Sequence, residues 1–161
     1  MKFNVNQQDI QKSLSYCQGV IEKRSTLPIL SNVLLDVRDS KLTVVATDLD
    51  LIFINIVPNI EIFEEGKTTT SSSIMYDIIR KFSSGNKINF SSIGENKLHL
   101  ESEKSVFNLN CISATEFPLT NEDFNQNEFT INSKKLLKLL NKCKFSISND
   151  ETRHYLSGIF F

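Results

Sequence analysis

Apolar side chains recur along this chain with two periods, and the period sets each expected element. Phe3 and Val5 alternate with polar neighbours, so Lys2–Asn6 reads as a strand. Asn6 is placed to cap a helix whose apolar positions Ile10, Leu14, Cys17 and Ile21 share one face. Gly19 weakens that helix near its end, and Pro28 forbids its continuation. Ile29–Val37 is the next expected strand, Arg38-Asp39-Ser40 a tight turn, and Lys41–Thr47 a strand with Leu42, Val44 and Ala46 on one side. Asp48-Leu49-Asp50 leads into Leu51–Val57, a nearly continuous apolar strand stopped by Pro58. An acidic loop, Asn59–Gly66, precedes the β-branched strand Lys67–Ser71. Ser72 or Ser73 caps a helix over Ile74–Phe82, and Ser83-Ser84-Gly85-Asn86 ends it. Lys87–Ser91, Lys97–Glu101 and Ser105–Asn110 follow as short strands with turns at Gly94-Glu95-Asn96 and around Ser102–Lys104. Thr115–Gln126, with Phe117-Pro118 and many Asn, Asp and Glu residues, has little periodicity and reads as a linker.

The opening pattern then returns: strand Glu128–Asn132, helix Ser133–Ser146, strand His154–Phe161. Phe3–Leu35 aligns with Phe129–Phe161 without a gap, and about nine of about thirty-three positions are identical, among them Asn6/Asn132, Leu14/Leu140, Cys17/Cys143 and Ile21/Ile147. The chain therefore reads as a first domain over 1–116, a linker over 117–127, and the opening of a second, incomplete domain over 128–161. One helix and two strands are too little to bury their own apolar residues well. The element order β-α-β-β-β-β-α-β-β-β, with mostly hairpin connections, implies an α+β fold. An antiparallel sheet carries two helices on one face of each domain.

The 161 residues are 40% hydrophobic, enough for a packed core. The N-terminus turns polar within six residues, unlike a signal peptide, and no run approaches the roughly 20 apolar residues of a membrane span. Cys17, Cys111 and Cys143 are far apart and odd in number, which fits reduced thiols in a cytoplasmic protein better than disulfides or a metal site.

Candidate chemistry for an enzyme is thin. His99 lies between Leu98 and Leu100 on a strand, and His154 stands beside Arg153 and Tyr155. Asp48 and Asp50 lack a third acidic partner and read as a strand turn. Glu65-Gly66-Lys67-Thr68 looks like the tail of a phosphate-binding loop, but Glu61 occupies the position that needs glycine. No nucleophile–base constellation is evident, so no catalytic residue, metal or cofactor is expected.

Charge is more informative. The segments Gln7–Arg24, Ser73–Phe82 and Ser133–Ile147 carry +1, +1 and +5, leaving −8 for the remainder of a chain of net charge −1. Lys12, Lys23, Arg80, Lys81, Lys134, Lys138 and Lys142 are the cations this picks out, and Lys134, Lys138 and Lys142 step by four opposite Leu136, Leu140 and Cys143. Basic helices on one side of an acidic body suit contact with nucleic-acid phosphates without base readout. Aromatic residues are not interleaved with the cations, so stacking on single strands is less favoured.

At the level of motifs, Met1-Lys2-Phe3, Thr26-Leu27-Pro28-Ile29-Leu30 within Arg24–Leu35, Ala46-Thr47-Asp48-Leu49, Phe117-Pro118 and Asp150-Glu151-Thr152-Arg153-His154-Tyr155-Leu156-Ser157-Gly158 resemble the bacterial sliding clamps, the beta subunit of DNA polymerase III. The resemblance implies a DNA-clamp fold and a two-chain ring of six similar domains. Helices line the hole, duplex DNA threads it, and the non-catalytic ring tethers the DNA-directed DNA polymerase in the cytoplasm. It implies as partners duplex DNA, a second clamp chain, the replicative polymerase and the clamp loader, and no membrane. Arg24 matches a basic residue at the pore, and Arg153 with Tyr155 matches an Arg-Tyr-Tyr stretch in which His154 here replaces the first Tyr. Ser72 and Ser73 stand where the family has a basic pair, and Asn96 and Glu103 replace basic residues of the last strands. In the family the chains join domain one to domain three, edge strand to edge strand. Ser105–Asn110 is therefore the expected open edge, and ring closure by this chain as it stands is expected to be impaired. The alternative is a degenerate, non-encircling clamp-like binding module without catalytic activity.

Overall fold

The structure, a computed structural model, describes residues 1–21, 26–94, 96–119, 129–148, 150 and 152–160. The chain divides into two compact units, Met1–Thr120 and Asn121–Phe161.

In the first unit β1 (Lys2–Asn6) runs into α1 (Gln7–Cys17). Ile10, Leu14, Cys17 and Ile21 are all buried in one core, as their spacing predicts. Burial pushes the Cys17 thiol up to about 12, against a smaller lowering by its backbone hydrogen bond, which leaves it an unreactive core residue. Asn6 stands at the helix N-cap position, but its side chain does not cap a backbone N–H. Its amide donates to the Asp9 carboxylate instead, at 3.4 Å.

The strand expected over Ile29–Val37 begins later. Pro28–Ser31 forms a 3-10 turn, and β2 is Asn32–Arg38. Proline's fixed φ and missing N–H suit the first turn of a helix rather than a ladder. Asp39 and Ser40 both have positive φ, 50° and 58°, and make the two-residue turn into β3 (Lys41–Thr47). Leu42, Val44 and Ala46 face the core together. Asp48 closes the next turn by accepting the N–H groups of Asp50 and Leu51 at 3.1 and 2.7 Å, so it is a turn residue, as expected.

β4 (Ile52–Val57) departs from its apolar sequence. A continuous apolar run predicts burial on both faces. Here it is the end strand of the sheet, and Ile54 and Ile56 are 63% and 55% exposed. The expected acidic loop contains a further strand, β5 (Glu61–Glu64), paired with β1. Lys87 and Asn4 hold the Glu61 carboxyl below the usual carboxylate range.

β6 (Gly66–Ser71) leads into α2 (Ser72–Ile79), which is shorter than the helix expected over Ile74–Phe82. Ser71 is its cap, accepting from the Ile74 N–H at 3.5 Å. Ser72 and Ser73 instead hydrogen-bond Gln18 at 2.9 and 3.3 Å and tie the start of α2 to the end of α1. β7 (Lys87–Ile93), β8 (Lys97–Ser102) and β9 (Ser105–Ile112) complete the unit. Phe117, placed by its sequence in the linker, is buried against Leu34 and Val45.

The sheet order is β4-β3-β2-β6-β9-β8-β7-β1-β5, antiparallel throughout. Each half of the unit lends its first strand to the other: β1 pairs with β7, and β6 pairs with β2. Only Thr69–Ile112 and Thr70–Cys111 join the halves at the middle. β9 is therefore open on one side from Ser105 to Leu109, close to the expected edge, and the Asn110 carbonyl accepts from the Thr70 hydroxyl at 3.0 Å. The two helices pack on each other over the core side of the sheet.

In the second unit α3 (Ser133–Cys143) is capped by Asn132, whose side-chain oxygen accepts from the Lys134 and Lys135 N–H groups at 3.0 and 3.3 Å. Lys144–Ser146 continues it as a 3-10 turn. Among the described residues, neither strand expected to flank this helix is formed. Residues 129–132 carry no ladder, and His154–Leu156 is a 3-10 turn followed by irregular backbone. A helix closes its hydrogen bonds within itself, whereas a strand needs a neighbour, and none is present among the described residues. No described side chain of this unit is buried.

Candidate nucleic-acid interface

On α1 the solvent face carries Gln8, Lys12, Ser15 and Tyr16. Lys12 makes no ion pair among the described residues. Tyr16, one turn on, is 51% exposed, and its ring leans on Phe53 with centroids 5.9 Å apart. A lone aromatic at an exposed helical position carries no periodic signal, so the sequence alone does not single it out. Gln8 is hydrogen-bonded to Ser84 beyond the end of α2. Lys23 and Arg24 lie outside the described residues.

Arg80 follows the last residue of α2, and its guanidinium is paired with Asp77 at 3.1 Å and stands 6.0 Å from the Tyr76 ring. Its charge is thus partly answered within its own helix. Lys81 takes a different position. With Ile74, Ile78, Phe82, Ser105 and Phe107 it lines a groove of about 390 Å³ between α2 and the open side of β9. Among the described residues the helical face of the first unit is therefore mainly a neutral hydrogen-bonding surface of Gln and Ser with few unpaired cations.

The second unit is more strongly polarised. Lys134, Lys138 and Lys142 are exposed along one stripe of α3, joined by exposed Lys135 and Lys144, and the helix holds no acidic residue. Leu136 and Leu140 take the opposite side. Arg153 is paired with Asp150 at 2.8 Å. The Asp150 carboxyl is held below its usual range by the Thr152 side chain and N–H and by Arg153. Tyr155 is 80% exposed. Of the cations expected to meet nucleic acid, Arg80 and Arg153 are thus committed to carboxylates three residues away, while Lys12, Lys134, Lys138 and Lys142 are not.

Asp77 sets up a direct test. An exposed pair of this kind is worth at most about 1 kcal/mol. Asp77→Asn should free the Arg80 guanidinium and strengthen duplex DNA binding about 2- to 5-fold, with the salt dependence steepened by roughly one phosphate contact. Fluorescence anisotropy on two unrelated duplexes measures both, and unchanged binding would remove Arg80 from the interface.

No group of three or more His, Cys, Asp or Glu side chains among the described residues is placed to hold a metal ion. His99 is occupied by Asn108, with Nδ1 and Oδ1 2.9 Å apart on the sheet surface.

Residues 1–121 match the family described as DNA polymerase III beta subunit, N-terminal domain. The chain is 34% identical over 161 residues to the beta sliding clamp of Caulobacter vibrioides, covering 99% of this chain and 43% of that protein. It is 33% identical to that of Escherichia coli K12, covering 100% and 44%. Its structure is similar to the Caulobacter crescentus pol III beta, with a TM-score of 0.91 at 34% identity over 98% of this chain and 42% of that one. It is also similar to the DNA polymerase III subunit beta from Pseudomonas aeruginosa, with a TM-score of 0.92 at 30% identity over 98% and 43%. The chain thus spans less than half the length of the relatives it matches.

Proposed function

The chain belongs to the DNA polymerase III beta subunit family, and from that premise we propose that it acts as a sliding clamp, a non-catalytic factor that encircles duplex DNA and tethers the replicative polymerase in the cytoplasm. The observation that carries the DNA reading is α3, where exposed lysines step along one stripe with no acidic residue beside them. Point charges on flexible stems bind phosphate without demanding a base or a register. On the first unit, Gln8, Ser15 and their neighbours offer water-bridged contacts that form and break at little cost. Such an interface holds a duplex and lets it slide.

Lys12, Arg80 and Lys81 on the first unit and, separately, Lys134, Lys138, Lys142, Arg153 and Tyr155 on the second are the proposed DNA-contacting residues, with Lys23 assigned from the charge pattern and Arg24 also from the resemblance. The proposed domains are 1–116, a linker over 117–127, and 128–161 as the start of a second domain. A second clamp chain, the polymerase and the clamp loader are the proposed protein partners. The open side of β9, with Phe107 at its groove, supplies the edge for a second chain. No helix among the described residues is long and apolar enough to cross a membrane.

The experiment is retention on DNA topology. Loaded with a clamp loader onto a nicked circular plasmid, a ring that includes this chain should stay with the circle through gel filtration and be lost when the plasmid is linearised. Equal, salt-sensitive binding to both forms would overturn encirclement and favour the non-encircling module.

A further inference from the structure

The sheet of the first unit is thin at one place inside it. Two residue pairs join β6 to β9, whereas β2 with β6 and β8 with β9 each pair over six. Threonine hydroxyls make up part of the deficit. Thr69 donates to the Ile112 carbonyl at 2.7 Å, and Thr70 donates to that of Asn110 at 3.0 Å. Beside this seam a cavity of about 390 Å³ lies between Pro28, Asn32 and Ile74 on one side and residues 108–112 on the other. The helix layer beneath is unbroken. α1 and α2 pack on each other and are tied at both ends, by Gln7 to the Ile79 carbonyl at 2.9 Å and by Gln18 to Ser72 and Ser73. A joint that is firm in one layer and thin in the other opens on the thin side, with the helix pair as its axis.

A strap crosses the seam from outside. Ile112, Thr69, Leu34 and Val45 lie side by side on β9, β6, β2 and β3. Past Ile112 the chain turns through Ala114–Glu116 and sets Phe117 onto Leu34 and Val45, where the residue is 5% exposed. Ala114 packs alongside. The segment that ends β9 in one half is thereby anchored on the sheet face of the other half. Burial of one phenylalanine supplies across the face what the ladder lacks in its plane.

We propose that the first unit opens locally along the β6–β9 seam and that Phe117 is the catch that holds the seam shut. Pro118 follows Phe117 directly, so tension carried along the chain from beyond it reaches the catch before either half of the sheet. Opening uncovers Cys111, which lies opposite Thr70 and packs against the core. Burial there holds its thiol above the usual range, against smaller lowerings by hydrogen bonds with Thr68 and Thr70. Cys17 is fully buried under α1 and is reached only when the whole unit unfolds, while Cys143 is exposed throughout. The three thiols therefore report local opening, global unfolding and free access in one chain. The device does not depend on the DNA reading.

Labelling of the 161-residue chain with N-ethylmaleimide, read at each cysteine by mass spectrometry, tests it. Phe117→Ala should speed Cys111 labelling about tenfold or more and leave Cys143 unchanged. Phe117→Leu, which keeps an apolar side chain on the same spot, should restore most of the protection. Val44→Ala, in the core two strands from the seam, should speed Cys17 labelling about tenfold and leave Cys111 unchanged. If Val44→Ala sped both thiols equally, Cys111 would be reached only by global unfolding. If Cys111 ignored Phe117→Ala, the thiol would need no catch to be covered. Either result overturns the proposal.

Discussion

Replacing Phe90 by alanine is expected to lower the stability of the first unit by about 3–5 kcal/mol, the cost of truncating a fully buried phenylalanine. Phe90 lies directly opposite Phe3 across the β1–β7 pair, and the two rings stack at 4.7 Å with an interplanar angle of 4°. Both are fully buried. The pair sits where β1, from the first half of the unit, enters the sheet of the second half. Losing the ring therefore opens a cavity and also loosens the joint between halves. Only two residue pairs of β6 and β9 join the halves at the middle of the sheet, so little else can compensate there. Against a total stability of about 5–15 kcal/mol for a domain, such a loss is large. Urea unfolding followed by circular dichroism should show the midpoint fall with an unchanged slope. Phe145→Ala is the control: that ring is 87% exposed, and its removal should leave the midpoint in place. A loss below about 1 kcal/mol for Phe90→Ala would mean that the site collapses around the missing ring.

What could be read from sequence follows from how local each interaction is. The face of α1 was legible because Ile10, Leu14 and Cys17 encode a helix and its buried side at once. The hairpin at Asp39-Ser40 was legible because turn chemistry is written in adjacent residues. β5 was hidden because its partner is β1, more than fifty residues away, and its own residues are half acidic. The exposure of β4 was hidden because an apolar run looks the same at a sheet's centre and at its edge. At the candidate interface, net charge points to helices but not to which of their cations stand unpaired. Asp77–Arg80 and Asp150–Arg153 are both spaced by three residues, a spacing at which helical neighbours meet, but a segment sum does not say which cation its acid holds. The expected strands of the second unit failed for a different reason. Their sequence repeats that of strands in the first unit, but a ladder depends on its neighbours as much as on its own residues.

The α3 stripe carries the largest expected effect on DNA binding. Lys134, Lys138 and Lys142 are exposed, lie on one side of a capped helix, and have no ion-pair partner among the described residues. Each phosphate neutralised releases counterions and adds about 0.9 to the slope of log affinity against log salt. Changing all three lysines to alanine should flatten that slope by about 2.7. The parent should therefore lose roughly 40-fold more affinity than the triple variant between 50 and 200 mM salt. The helix itself should survive, because its cap is the Asn132 side chain and alanine favours the helical state. Because phosphates are common to every sequence, the loss should be equal on duplexes of unrelated sequence. Lys12→Ala should flatten the slope by about 0.9. Arg153→Ala should change it less, since its guanidinium is already held by Asp150. Anisotropy titrations at several salt concentrations give all these slopes. A triple variant with the parent's slope would place the duplex elsewhere on the protein, and a loss confined to one DNA sequence would replace phosphate contact with base readout.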